Sequence, residues 1–185
     1  VDTVKKNVRA RESSTTYFPN GMGDVYLTSY PEEDYWNYTK LVYEYMTRAD
    51  VYGDYAYSEE CFNDLIKIVT LCRENNIELV AYISPIHVLM LEGIIASGKG
   101  EVYEKWKRRL AEIVPYYDFS GYNVITEDRY LSNEMYYFID TSHCSPVVGE
   151  FIIKVLLGTR PSGLPENFYM YVDSDNVDDN IARLD

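Results

Sequence analysis

The stretch "IELVAYISP", residues 77 to 85, constrains this chain more than any other. A nearly unbroken apolar run of strand length suits a strand covered on both faces, as in a parallel sheet. Segments of helical period flank it. Before it, Ser58 caps a predicted helix whose Phe62, Leu65, Ile66, Val69 and Cys72 share one face, ending at "ENN". After it come "HVLMLEGIIASGKG", a helix or lid-like connection with glycines, and an amphipathic helix in "EVYEKWKRRLAEIV". "PYYDFSGYNVI" then offers a short second strand, and "DTSH" leads into a final helix with Ser145 as N-cap and Pro146 at its first position. Val147, Val148, Phe151, Ile152, Val155 and Leu156 make that helix apolar around nearly its whole surface, which predicts deep packing. Helix, strand, helix, strand, helix is an α/β alternation, expected to give a parallel sheet with right-handed crossovers.

Upstream the signals are weaker. Residues 1 to 28 read as loop and turn, and Pro31 with Glu32, Glu33 and Asp34 opens a predicted helix running to about Arg48. Eight of the twenty tyrosines, with Trp36, fall in residues 30 to 57. Tyr35, Tyr38, Val42, Tyr45 and Met46 follow helical spacing and read as a packing face; a carbohydrate-binding platform is the weaker alternative. The chain therefore divides into an N-terminal loop and tyrosine-rich helix (1–57), an α/β region (58–158) and an acidic tail (159–185). The tail, ending in "VDSDNVDDNIARLD", reads as a solvated segment. The chain's 185 residues make one domain's worth, and an opening Val1 reads as a piece of something longer.

Charge narrows the partners. Seventeen basic against 30 acidic residues give −13, a surface that repels phosphate backbones, so no nucleic-acid partner is expected. No apolar run reaches the length of a transmembrane segment, and no signal-peptide pattern opens the chain. Cys61, Cys72 and Cys144 lack metal-ligand spacing, and Cys61 and Cys72 stand too far apart in one helix to bridge. No cofactor is implied.

Only two histidines are present, each at or beyond the end of a strand-like segment, where loops of α/β sheets build sites. Asp140 and His143 share one short turn. That spacing lets the carboxylate reach the Nδ1 hydrogen, fixing the tautomer and leaving Nε2 as a base. The alternative is that Asp140 only caps the turn and His143 is a satisfied surface or core histidine. His87 falls near the site rim, within reach of substrate; a helix-cap or packing role is preferred for it, since "SPIH" carries no defined mechanism. Ser84, before a proline at the strand end, is a lesser nucleophile or substrate-contact candidate with no strained elbow around it. A metal site from Asp140, His143 and His87 lacks the usual ligand spacing, and no metal is expected.

At Asp140, His143, Pro146 and Gly149 the chain resembles the SGNH (GDSL-like) hydrolase superfamily. There a late Asp-x-x-His block, followed by Pro and Gly at the start of the final helix, supplies the acid and base of a Ser-His-Asp triad. "AYISPIH" is similar to the family's penultimate strand and "YYDFS" to its short last strand, so the resemblance spans roughly residues 58 to 158. It looks nearest to bacterial SGNH-like proteins of cell-envelope polysaccharide acylation. The resemblance implies a three-layer, flavodoxin-like parallel sheet, of which this chain holds the C-terminal half. It also implies an extracytoplasmic serine esterase or O-acyltransferase acting on acyl (acetyl) esters of envelope polysaccharide. His143 would be the base, Asp140 the orienting acid, and the nucleophilic serine would lie upstream. The family's Gly-Asp-Ser block, oxyanion glycine and Gly-x-Asn-Asp block are absent here, so this segment alone is expected to be inactive. The alternative is a non-catalytic SGNH-like binding or assembly module. With early strands missing, "ELVAYIS" would lie at a raw sheet edge and drive self-association or poor solubility, unless residues 1 to 57 cover that edge.

Overall fold

A computed structural model of the chain describes residues 56–128, 137–138 and 141–184. The helix predicted over 31–48, the tyrosine-rich stretch up to residue 55, and Asp140 lie outside the described residues.

The first described helix, α1 (Glu59–Glu74), starts where Ser58 Oγ accepts the Cys61 N–H. Glu59 and Glu60 in its first turn and Arg73 in its last suit the two ends of the helix dipole. Asn76, at φ 54°, then takes the left-handed turn that its short side chain tolerates, and the chain enters β1 (Ala81–Ile83). Next come α2 (Val88–Ala96), α3 (Gly100–Ile113), β2 (Tyr116–Asp118), α4 (Pro146–Leu156), β3 (Met170–Val172) and α5 (Val177–Ile181). The strands lie in the order β1-β2-β3. β1 runs parallel to β2 with Ala81 opposite Tyr116, and β3 runs antiparallel to β2 with Val172 opposite Tyr116. The chain is thus mixed α/β around a small sheet with one parallel pair.

Alternation along the strands sorts side chains into two cores. Ala81, Ile83, Tyr116, Met170 and Val172 pack with Phe62 of α1, Leu110 and Ala111 of α3, and Val177 and Ile181 of α5. Tyr117, on the other sheet face, joins Phe119, Phe138, Phe168 and the α4 residues Val148, Ile152 and Val155. A polar knot crosses the first core. Lys107 Nζ lies 2.7 Å from Asp118 Oδ2, 3.2 Å from Ser120 Oγ and 3.3 Å from Asn180 Oδ1, linking α3, the end of β2 and α5. Both partners of the Lys107–Asp118 ion pair are wholly buried. Burial pulls the Lys107 pKa down, and the Asp118 carboxylate opposes that fall.

Four expectations need correction. The apolar run 77–85 gives a strand of only three residues, and it is not covered on both faces: Leu79 and Val80 are exposed and Tyr82 is 51% exposed. β1 is an edge strand of the described sheet, so part of its surface has no second layer above it. The final helix α4 buries one stripe, Val148, Ile152 and Val155, while Ile153 and Leu157 remain 59% and 76% exposed. Pro146 does take its first position, but the Ser145 side chain makes no capping bond. Finally, residues 159–184 of the expected acidic tail are not a solvated segment. They supply β3 and α5, and Val172, Val177 and Ile181 enter the core while Asp175, Asp178 and Asp179 stay at the surface. The dense charge of this run masked the four-residue spacing of Val177 and Ile181. The added strand is antiparallel, so the sheet is not all parallel. Among the described residues, no helix is long and apolar enough to cross a membrane.

Candidate functional site

The site is built on the turn that leaves the carboxyl end of β1. Ser84 is exposed there, Pro85 is buried, and His87 becomes the N-cap of α2. His87 Nδ1 accepts the Leu89 N–H at 3.2 Å, the task usually given to Ser, Thr, Asn or Asp. With Nδ1 accepting, the ring proton resides on Nε2, which donates to the Asp128 carbonyl at 2.8 Å. The ring is only 3% exposed and stands edge-on to Phe138, centroids 5.4 Å apart. Burial lowers the His87 pKa and favours the neutral ring, against a smaller upward pull from the Asp128 carbonyl. His87 is therefore enclosed and acts as a helix cap; its ring is not displayed at a rim. Both nitrogens are engaged, so metal ligation by this ring would cost the cap or the Asp128 bond. Among the described residues no cluster of His, Cys, Asp and Glu is arranged to hold a metal ion.

Asp128 ends a braced loop. Asn123 Oδ1 accepts the Ile125 and Thr126 N–H groups at 3.0 and 3.1 Å, closing an Asx-type turn. Thr126 Oγ1 accepts from Asn123 N–H and donates to the Gly121 carbonyl, where φ of 108° requires glycine. The Thr126 carbonyl takes the Val88 N–H at 3.0 Å, which docks this loop on the start of α2. The Asp128 carboxylate accepts the backbone N–H groups of Tyr137 and Phe138. Sequence reasoning missed Asn123, Thr126 and Asp128; the Asn-x-x-Thr spacing in "NVIT" was the local signal for the turn.

The second histidine sits on the segment so anchored. Phe138 and Cys144 pair as an antiparallel bridge and the Ser145 N–H donates to the Tyr137 carbonyl at 2.8 Å, joining the two ends of the loop that carries His143. The Thr141 carbonyl accepts the His87 backbone N–H at 2.9 Å, so the loop is seated against the turn leaving β1. His143, two residues beyond Thr141, is exposed, and its Nδ1 lies 3.1 Å from Ser142 Oγ. If Ser142 accepts, Nδ1 carries the proton and Nε2 presents the basic lone pair. The Asp140–His143 distance falls outside the described residues. Burial raises the pKa of the neighbouring Cys144 thiol, which keeps it protonated and a poor nucleophile at neutral pH. An exposed imidazole on a loop at a strand's carboxyl end can act as a general base. Comparison with protein-family models, with curated proteins and with solved structures finds no match to this chain.

Proposed function

We propose that the chain is the C-terminal part of an SGNH-type serine esterase or O-acyltransferase acting on acyl esters, foremost acetyl esters of envelope polysaccharide. The observation that supports this most is the seat of the His143 loop. Its Thr141 carbonyl is held by the turn at the carboxyl end of β1, the side of an α/β sheet where sites assemble. In this reading a serine from upstream sequence attacks the acyl carbon while His143 Nε2 takes the hydroxyl proton. The alkoxide of the ester leaves with that proton, and an acyl-serine remains. Water or a sugar hydroxyl then takes the acyl group, giving its proton to His143, which returns it to the serine. Asp140 orients the imidazole and stabilises its protonated form.

The test is acetate release from acetyl esters by two proteins: this chain alone, and a product extended upstream through a Gly-x-Ser that follows a predicted strand. The chain alone is expected to be inert, lacking nucleophile and oxyanion donors. The extended product is expected to turn over. Turnover by the chain alone would overturn the placing of the nucleophile upstream, and an inert extended product with that serine present would favour the binding or assembly module instead.

A further inference from the structure

We infer that His87 is a positioning residue for His143, clamping the loop that carries it rather than touching substrate. The inference rests on the reading of His143 as a base. Four contacts converge on one buried residue. The His87 backbone N–H holds the Thr141 carbonyl, two residues before His143. The ring's Nε2–H holds the Asp128 carbonyl, and the carboxylate of that same Asp128 takes the N–H groups of Tyr137 and Phe138 at the loop's entrance. The ring edge packs against Phe138, whose bridge to Cys144 closes the loop just past His143. Nδ1, through the Leu89 N–H, fixes the ring itself to the first turn of α2. The loop is thereby referred to a helix start and a strand end, both rigid elements, which is what a general base needs to hold its geometry.

A cap alone would use Nδ1 and nothing else, and that difference makes the inference testable on the 185-residue chain. His87→Asn keeps an oxygen near the Leu89 N–H but is too short to reach the Asp128 carbonyl. His87→Gln extends an amide N–H toward Asp128 and weakens the cap. In either variant the remaining imidazole signal belongs to His143, because the chain has two histidines. Amide exchange at Tyr137, Phe138 and Ser145 is expected to rise about tenfold in His87→Asn, the loss of one buried hydrogen bond, and clearly less in His87→Gln. The His143 ring signal should move in the same order, while α2 amides report that the helix persists. Asn matching wild type, or Gln exchanging as fast as Asn, overturns the clamp and leaves His87 a cap alone. Neither readout involves turnover, so an inert extended product would remove the base while the amides still decide the clamp. In an active extended product His87→Asn should lower kcat with KM little changed. A raised KM at unchanged kcat would overturn positioning in favour of a substrate contact.

Discussion

Lys107 shows how far a single residue can depart from its type. Its neighbours Lys105 and Arg108 are exposed, yet Lys107 is buried with Tyr103, Leu110 and Ala111 on the inner stripe of α3. Helical period put the position inside, whereas the charge argued for solvent; Asp118, Ser120 and Asn180 reconcile the two by taking all three ammonium hydrogens. Removing one partner strands the other as a buried charge. Lys107→Met should therefore cost about 3–5 kcal/mol in urea unfolding, and adding Asp118→Asn should recover part of that loss. Equal stability of wild type and Lys107→Met would show that water reaches Asp118. No sequence pattern announced this cluster, since Asp118 lies 11 and Asn180 73 residues from Lys107. At the candidate site, Asp140 and His143 stood out because a carboxylate and an imidazole shared one turn. The contacts that seat their loop come from Asp128 and Thr141, residues with no chemical signature of their own.

The helices were legible where caps and apolar period agreed. Ser58 and the Phe62, Leu65, Val69 stripe marked α1 and Pro146 with its apolar period marked α4, whereas amphipathic period alone marked α3. Elements whose signal was diluted were not legible. α5 is only five residues long and carries Asp178 and Asp179 in its first turn, where acids suit the dipole but also mimic a solvated run. β3 is three residues long, and its place beside β2 depends on a tertiary contact rather than on local pattern. The C-terminal segment should accordingly behave as core. Ile181→Ala is expected to destabilise the chain by about 2–5 kcal/mol, because the methyl groups it deletes fill space beside Tyr116 and Val177. Asp179→Asn, at the surface, should stay within about 0.5 kcal/mol. Near-equal unfolding midpoints for wild type and Ile181→Ala would return this segment to the role of a tail.

For the molecule as a whole, the sequence predicted the parallel pairing of β1 with β2 but not the antiparallel third strand. Two apolar runs separated by helices specify a crossover, whereas nothing local specifies which edge a late strand joins. β1, at the edge of the described sheet, with its own Tyr82 exposed and Ile77, Leu79 and Val80 exposed on its approach, presents an apolar border. Such borders pair with other chains. Sedimentation of the 185-residue chain should show concentration-dependent association that Tyr82→Lys reduces; a monomer across a wide concentration range would contradict this. The central claim is that His143 is the base of an acyl-transfer site. Its most direct test is the rate of acetyl-ester cleavage by the upstream-extended product, compared with its His143→Ala and Asp140→Asn variants. Folding of each variant is checked by its unfolding transition. The account predicts a loss of about 10⁴-fold or more for His143→Ala and a smaller but still large loss for Asp140→Asn, which keeps the base but loosens its tautomer. A folded His143→Ala variant with undiminished rate on its best acyl substrate would contradict it.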